Sequence, residues 1–178
     1  MLADIQSIFD DSDNSRHNMT IMQEEINNLG APSVVGGAFI MPICQSTGRI
    51  LLVKRSSDAG FEPNKWFFFG GHMDKGETPA KTAIRETYEE GNVSPNAYKL
   101  HNYPIFIDSG YDKRGKLHTV YIFPAILSEE ITPKLNKEHD EYEWVEINSI
   151  KQRPTFISLT NLLNDSDANA RYYTLTQR

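Results

Sequence analysis

Residues 67–93 read FFFGGHMDKGETPAKTAIRETYEEGNV, and this stretch decides the fold. Three phenylalanines run into the pair Gly70–Gly71, a polar loop follows, and PAKTAIRETYEEG has the composition of a helix. Thr78 is suited to cap that helix, and Pro79 suits its first turn, where a missing N–H leaves no hydrogen bond unmade. Glu86, Glu89 and Glu90 fall at positions i, i+3 and i+4, so the spacing places all three on one stripe. Like charges so placed repel by a few tenths of a kcal/mol per pair, roughly, when exposed. Within the stripe the only basic residue is Arg85. A hard divalent cation relieves the repulsion better, since carboxylate oxygen is what Mg²⁺ prefers.

An isolated ExxEE reads as a solvated acidic face. Here it has company. Gly70 and Gly71 let backbone approach a ligand or a metal closely. Glu77 precedes the helix, and Arg85 can hold a carboxylate with two parallel hydrogen bonds. A loop and helix that present a backbone carbonyl and several carboxylates make a metal cradle.

The stretch resembles the Nudix box. That pattern is Gly, five residues, Glu, seven residues, Arg-Glu, an apolar residue, any residue, Glu-Glu, any residue, Gly and an apolar residue. Gly71 opens it, Glu77 follows HMDKG, Arg85-Glu86 follow TPAKTAI, and Glu89, Glu90 and Val93 close it. Thr87 stands in the apolar slot and Asn92 in the late glycine slot; Asn tolerates left-handed backbone and can still end the helix. Phe69 stands where the family often has proline. The likeness extends outward over residues 33–165.

The resemblance implies an α+β fold, a Nudix-like α/β/α sandwich with a mixed central sheet. It implies Mg²⁺-dependent hydrolysis, with Mn²⁺ as a substitute, of a nucleoside diphosphate linked to another moiety. Dinucleoside polyphosphates, ADP-ribose, nucleotide sugars and nucleoside triphosphates are the candidate substrates. Gly71, Glu86, Glu89 and Glu90 are the implied metal ligands, and Arg85 and Glu77 orient them. The general base is a box glutamate or a carboxylate of NKEHDEYEW, among which Glu138 is favoured over Asp140 and Glu141. Arg55, at the end of a strand, and Tyr111, eighteen residues after Val93, are candidate substrate contacts. The alternative is a catalytically silent Nudix-like module that binds a nucleotide.

The flanks agree with a mixed fold. SVVGGAFIMPI and RILLVKR, joined by QSTG, read as a β-hairpin over 33–55. SSDAGFEPNK is a loop, and KWFFFGG is a short aromatic strand stopped by its glycines. YPIFIDSG, KLHTVYIFPAIL and EYEWVEI read as strands, and helical spacing recurs at Ile157, Leu159, Leu162 and Leu163. Trp66 to Phe69 read as core, Cys44 as a small apolar filler, and His118 and His139 as structural or exposed. Residues 1–30 read as a helical extension before a single domain over 31–178, and the tail SDANARYYTLTQR as loosely held. The net charge of −6 offers no cationic surface for nucleic acid. One cysteine excludes an intrachain disulfide, and no run reaches the roughly 20 apolar residues of a membrane span. The start is acidic where a signal peptide is basic. These features set the expectation of a soluble cytoplasmic protein with a small-molecule substrate; a homodimer stays open.

Overall fold

A computed structural model describes His17, Thr20 and residues 35–111 and 115–176. The extension expected over 1–30 lies outside the described residues, apart from His17 and Thr20, which are helical. Lys113 and Arg114 also lie outside them.

The expected hairpin is present as β1 (Val35–Cys44) and β2 (Ile50–Arg55). Its two strands pair at Ile43↔Ile50 and then diverge. The aromatic segment fills the fork. Its first piece, β3 (Trp66–Phe67), pairs with β2, and its second, β4 (Phe69–His72), pairs with β1. The glycine pair therefore does not stop the strand, as the sequence suggests; Gly70 and Gly71 lie inside β4, opposite Phe39 and Ala38. No side chain larger than hydrogen fits at Gly70: its φ is 149°, and a Cβ there would stand 2.3 Å from the carbonyl oxygen of Ala38.

After β4 come helix α1 (Pro79–Gly91), the short β5 (Lys99–Leu100), and β6 (Phe106–Tyr111) and β7 (Leu117–Leu127). The strand β8 (His139–Val145) and helices α2 (Ile157–Asn164) and α3 (Ser166–Thr176) complete the order. β1 runs parallel to β7 and antiparallel to β2 and β4, so the sheet is mixed.

The two-residue period of the strands sorts the core into two layers. Ala38, Ile40, Leu51 and Val53 join the α1 residues Ala80, Ala83 and Ile84. Met41, Ile43, Ile50 and Leu52 join Leu159, Leu162 and Tyr172 of the C-terminal helices. The α/β/α sandwich follows. The tail is not loose: α3 buries Ala168 and Tyr172, and the Tyr172 hydroxyl donates to the carbonyl of Gly48 in the hairpin turn. Its apolar residues are too sparse to announce a helix, and the anchoring partner lies 124 positions away.

Candidate active site

Local rules place α1. The Thr78 side chain accepts from the Lys81 N–H, Pro79 opens the first turn, and Asn92 ends the helix at φ 50°, ψ 33°. The left-handed Asn92 donates its N–H to the carbonyl of Tyr88, doing what glycine does at a helix end. Gly91 lets the last turn press on the strand: a Cβ there would lie 2.5 Å from the Phe69 ring. Helix and Gly-Gly strand are thus locked face to face.

Arg85 gathers the carboxylates. Its Nε donates to Glu77 Oε1 and its Nη2 to Glu77 Oε2, both at 2.9 Å. Nη1 donates to Glu86 at 2.8 Å and to Glu89 at 3.1 Å. Glu77 also accepts from the Thr82 hydroxyl at 2.7 Å and the Asp74 N–H at 3.2 Å. Burial works against the charge of Glu77, yet the hydrogen bonds from Arg85 and Thr82 hold its carboxyl below the usual range. The guanidinium in turn is held more firmly charged than usual, chiefly by Glu77.

The glutamate stripe is not uniform. Glu89 is 54% exposed along its side chain and Glu86 17%, while Glu90 is buried. Glu90 takes the N–H of Gly70 at 2.9 Å. Burial pushes its pKa up to about 8 against that hydrogen bond, and Glu86 and Glu138 push the same way. The Glu86 carboxyl is also raised, by burial first and then by Glu89 and Glu138, although Arg85 opposes this. A Cβ on Gly71 would stand 2.7 Å from that carboxyl, so the missing side chain is what lets Glu86 lie on the strand backbone.

Glu138 enters the same field from the far side of the fork. It pairs with Arg55 at 3.1 Å, and Ser56 N–H donates to its carbonyl. Its rivals are engaged elsewhere. Asp140 and Glu141 lie within β8, not in a loop; Asp140 accepts from Ser57 N–H at 3.1 Å and Glu141 pairs with Lys54 at 2.6 Å. Arg55 is therefore brought to the site, by way of Glu138. Tyr111 is not: it ends β6, 78% exposed, and takes no part in the Arg85 network.

His139 is buried, with its ring edge-on to Phe69 and Nδ1 without a partner. Burial first, and then Arg55, lower its pKa to about 4. Sequence reading passed over this pairing, because only the β2–β8 register, Arg55↔His139, puts the ring there. Cys44 is buried as expected, its thiol 3.1 Å from the Ser46 hydroxyl.

The donor set suits a hard divalent cation. Every candidate ligand is an oxygen, and the backbone of Gly71 is unobstructed where Glu86 approaches it. The carboxylates are not arranged as a finished cage: among the described residues no three His, Cys, Asp or Glu side chains stand in metal-ligand geometry. Arg85 takes the Glu86 and Glu89 carboxylates instead.

The chain belongs to the NUDIX domain family, whose model matches residues 35–163, and it is a pyrophosphohydrolase of that family. It is 28% identical over 113 residues to the asymmetrical bis(5'-nucleosyl)-tetraphosphatase of Caenorhabditis elegans, covering 62% of this chain and 79% of that protein. It is 30% identical over 114 residues to the nucleoside triphosphatase NudI of Enterobacter sp. (strain 638), covering 60% and 79%. In fold it is similar to the crystal structure of a C. elegans Ap4A hydrolase binary complex, with TM-score 0.62 and 24% identity, over 79% of this chain and 98% of that one. No helix among the described residues is long and apolar enough to cross a membrane.

Proposed function

We propose that this protein hydrolyses the pyrophosphate linkage of a nucleoside polyphosphate with a divalent cation, Mg²⁺ or Mn²⁺, held by the Gly71 carbonyl and by Glu86, Glu89 and Glu90. The observation that carries the reading is the buried Glu90, bound to Gly70 N–H beside a Glu86 carboxyl that lies on Gly71. A bound cation supplies charge neutralisation for phosphate oxygens and a water of lowered pKa.

The chain's own residues do the rest. Arg85 ties Glu86 and Glu89 to the fixed Glu77 and so limits where their carboxylates can point. Glu138, close enough to raise the pKa of both Glu86 and Glu90, accepts the proton of the attacking water. Arg55, paired with Glu138, meets a phosphate oxygen of the bound substrate. Two relatives whose names specify a dinucleoside tetraphosphate and nucleoside triphosphates favour those substrate classes over nucleotide sugars.

The test is a nucleotide panel incubated with Mg²⁺ and with excess chelator, products read by mass. Cleavage at a phosphoanhydride only with the metal is the expected result. Full turnover in chelator, or turnover of no nucleotide by folded protein, overturns the proposal.

A further inference from the structure

Helix α1 ends against an irregular strap. Residues 128–138 join β7 to β8 with no helix or strand of their own. Ile131 and Leu135 pack on the α1-side core, and the Trp144 indole N–H donates to the carbonyl of Ile131 at 2.9 Å. The last carbonyls of a helix have no partner within it, and the strap supplies donors for two of them. Lys134 N–H donates to the carbonyl of Gly91 and Asn136 N–H to that of Glu90, both at 2.8 Å.

Asn136 works in both directions. Its backbone N–H holds the end of α1, and its side-chain Oδ1 accepts the N–H of Glu138 at 2.9 Å. A bond from a side-chain oxygen to the N–H two residues on closes an Asx turn, which Asn and Asp make most readily. The carbonyl of Glu138 accepts from Ser56 N–H at 2.8 Å, and its carboxylate pairs with Arg55. The Glu138 side chain is 46% exposed, so packing does little to fix it. Its direction depends on where the backbone delivers it, and one residue, bonded on either side, sets the spacing of that backbone from the last turn of α1.

We propose that Asn136 is a positioning residue that aims Glu138 at the glutamate stripe and so at the attacking water. The inference rests on the reading of Glu138 as the base. The two bonds of Asn136 can be separated by substitution. The bond to Glu90 is made by the backbone and survives a change of side chain, whereas the bond to Glu138 is made by Oδ1 and does not. A side-chain variant therefore releases Glu138 and leaves α1 tied.

Steady-state kinetics with Mg²⁺ and diadenosine tetraphosphate or ATP, whichever the nucleotide panel shows to be cleaved, test it. Asn136→Leu keeps the shape of the side chain without its acceptor. It should lower kcat about 10–10²-fold, between the loss of one hydrogen bond and a misplacement of roughly 1 Å, with KM and the Mg²⁺-induced rise in melting temperature unaltered. Asn136→Ser should recover part of the rate, because a hydroxyl closes the same turn more weakly. In a Glu138→Gln background neither substitution should slow the enzyme further. Wild-type kcat in Asn136→Leu overturns the proposal, as does a Ser variant no faster than Leu. An equal loss in both backgrounds, or a lost Mg²⁺ shift, overturns it by assigning Asn136 to the support of α1. If Asn136→Leu fails to fold, Asn136→Ser against wild type in the two backgrounds decides in the same way. A slow Glu138→Gln beside an unaltered Asn136→Leu sinks the positioning alone, whereas full turnover by Glu138→Gln sinks the base assignment on which it rests.

Discussion

Glu77 precedes helix α1 and Glu90 lies in its last turn, and both are buried, at 2% and 3% exposure. Their environments are opposite. Glu77 receives a two-pronged Arg85, a threonine hydroxyl and a backbone N–H, and its pKa falls. Glu90 receives one backbone N–H and faces two other carboxylates, and its pKa rises to about 8. A buried charge with partners is structure; a buried charge short of partners is a site that something else must complete. The contrast explains why a box of four glutamates needs only one arginine. Arg85 fixes the frame through Glu77 and leaves Glu90 with the Gly70 N–H alone.

The largest effect should come from breaking the satisfied side. Arg85→Ala strands the buried Glu77, and loss of one partner of a buried pair costs about 3–5 kcal/mol. Chemical denaturation should report that loss, and kcat should fall with it. A raised KM with kcat, stability and metal affinity all unaltered would mean that Arg85 is a substrate ligand instead.

The unsatisfied side predicts the reverse. Glu90→Gln keeps the Gly70 hydrogen bond and removes the charge. Turnover at saturating Mg²⁺ should drop by about 10²–10³, as for loss of one preorganised electrostatic group. In chelator the same variant should melt higher than wild type. Because the folded pKa is raised, wild type gives up stability as pH climbs from the ordinary carboxylate range through about 8. The gain from Gln should therefore be greater at pH 8 than at pH 5, and a gain equal at both would refute the burial argument.

Smaller effects sharpen the packing behind the contrast. Gly91→Ala improves helix propensity by up to about 1 kcal/mol in isolation. Its Cβ would meet the Phe69 ring at 2.5 Å, though, so the variant should lose about 1–3 kcal/mol through overpacking. A stabilised Gly91→Ala in a thermal melt would show that α1 is free to move off β4. Least of all, the buried neutral His139, lowered to about 4, should make wild type lose stability as pH falls from about 6.5 toward 4. His139→Phe should flatten that limb of the pH–stability curve while leaving the Glu90 limb in place.

The part of this site that depends on neighbours along the chain was legible in sequence. Thr78, Pro79 and Asn92 bound the helix as their chemistry requires, and the Arg85 and glutamate spacing followed from helical period alone. What sequence left open depends on contacts across the fold. Three glutamates on one stripe look equivalent, and only the approach of Gly70 separates buried Glu90 from exposed Glu89. The fork of β1 and β2 explains why a glycine pair that reads as a stop lies within a strand. The aromatic run at 66–69 is core, as its place in a strand suggests.

Binding of Mg²⁺ to the folded state must raise the melting temperature, and that shift tests the central claim most directly. At pH 8, addition of Mg²⁺ should stabilise wild type by clearly more than it stabilises Glu90→Gln, because one of the charges that call for the cation is gone. An equal Mg²⁺ shift in both proteins would contradict the account, and would return Glu90 to the role of a buried carboxyl that Gly70 alone satisfies.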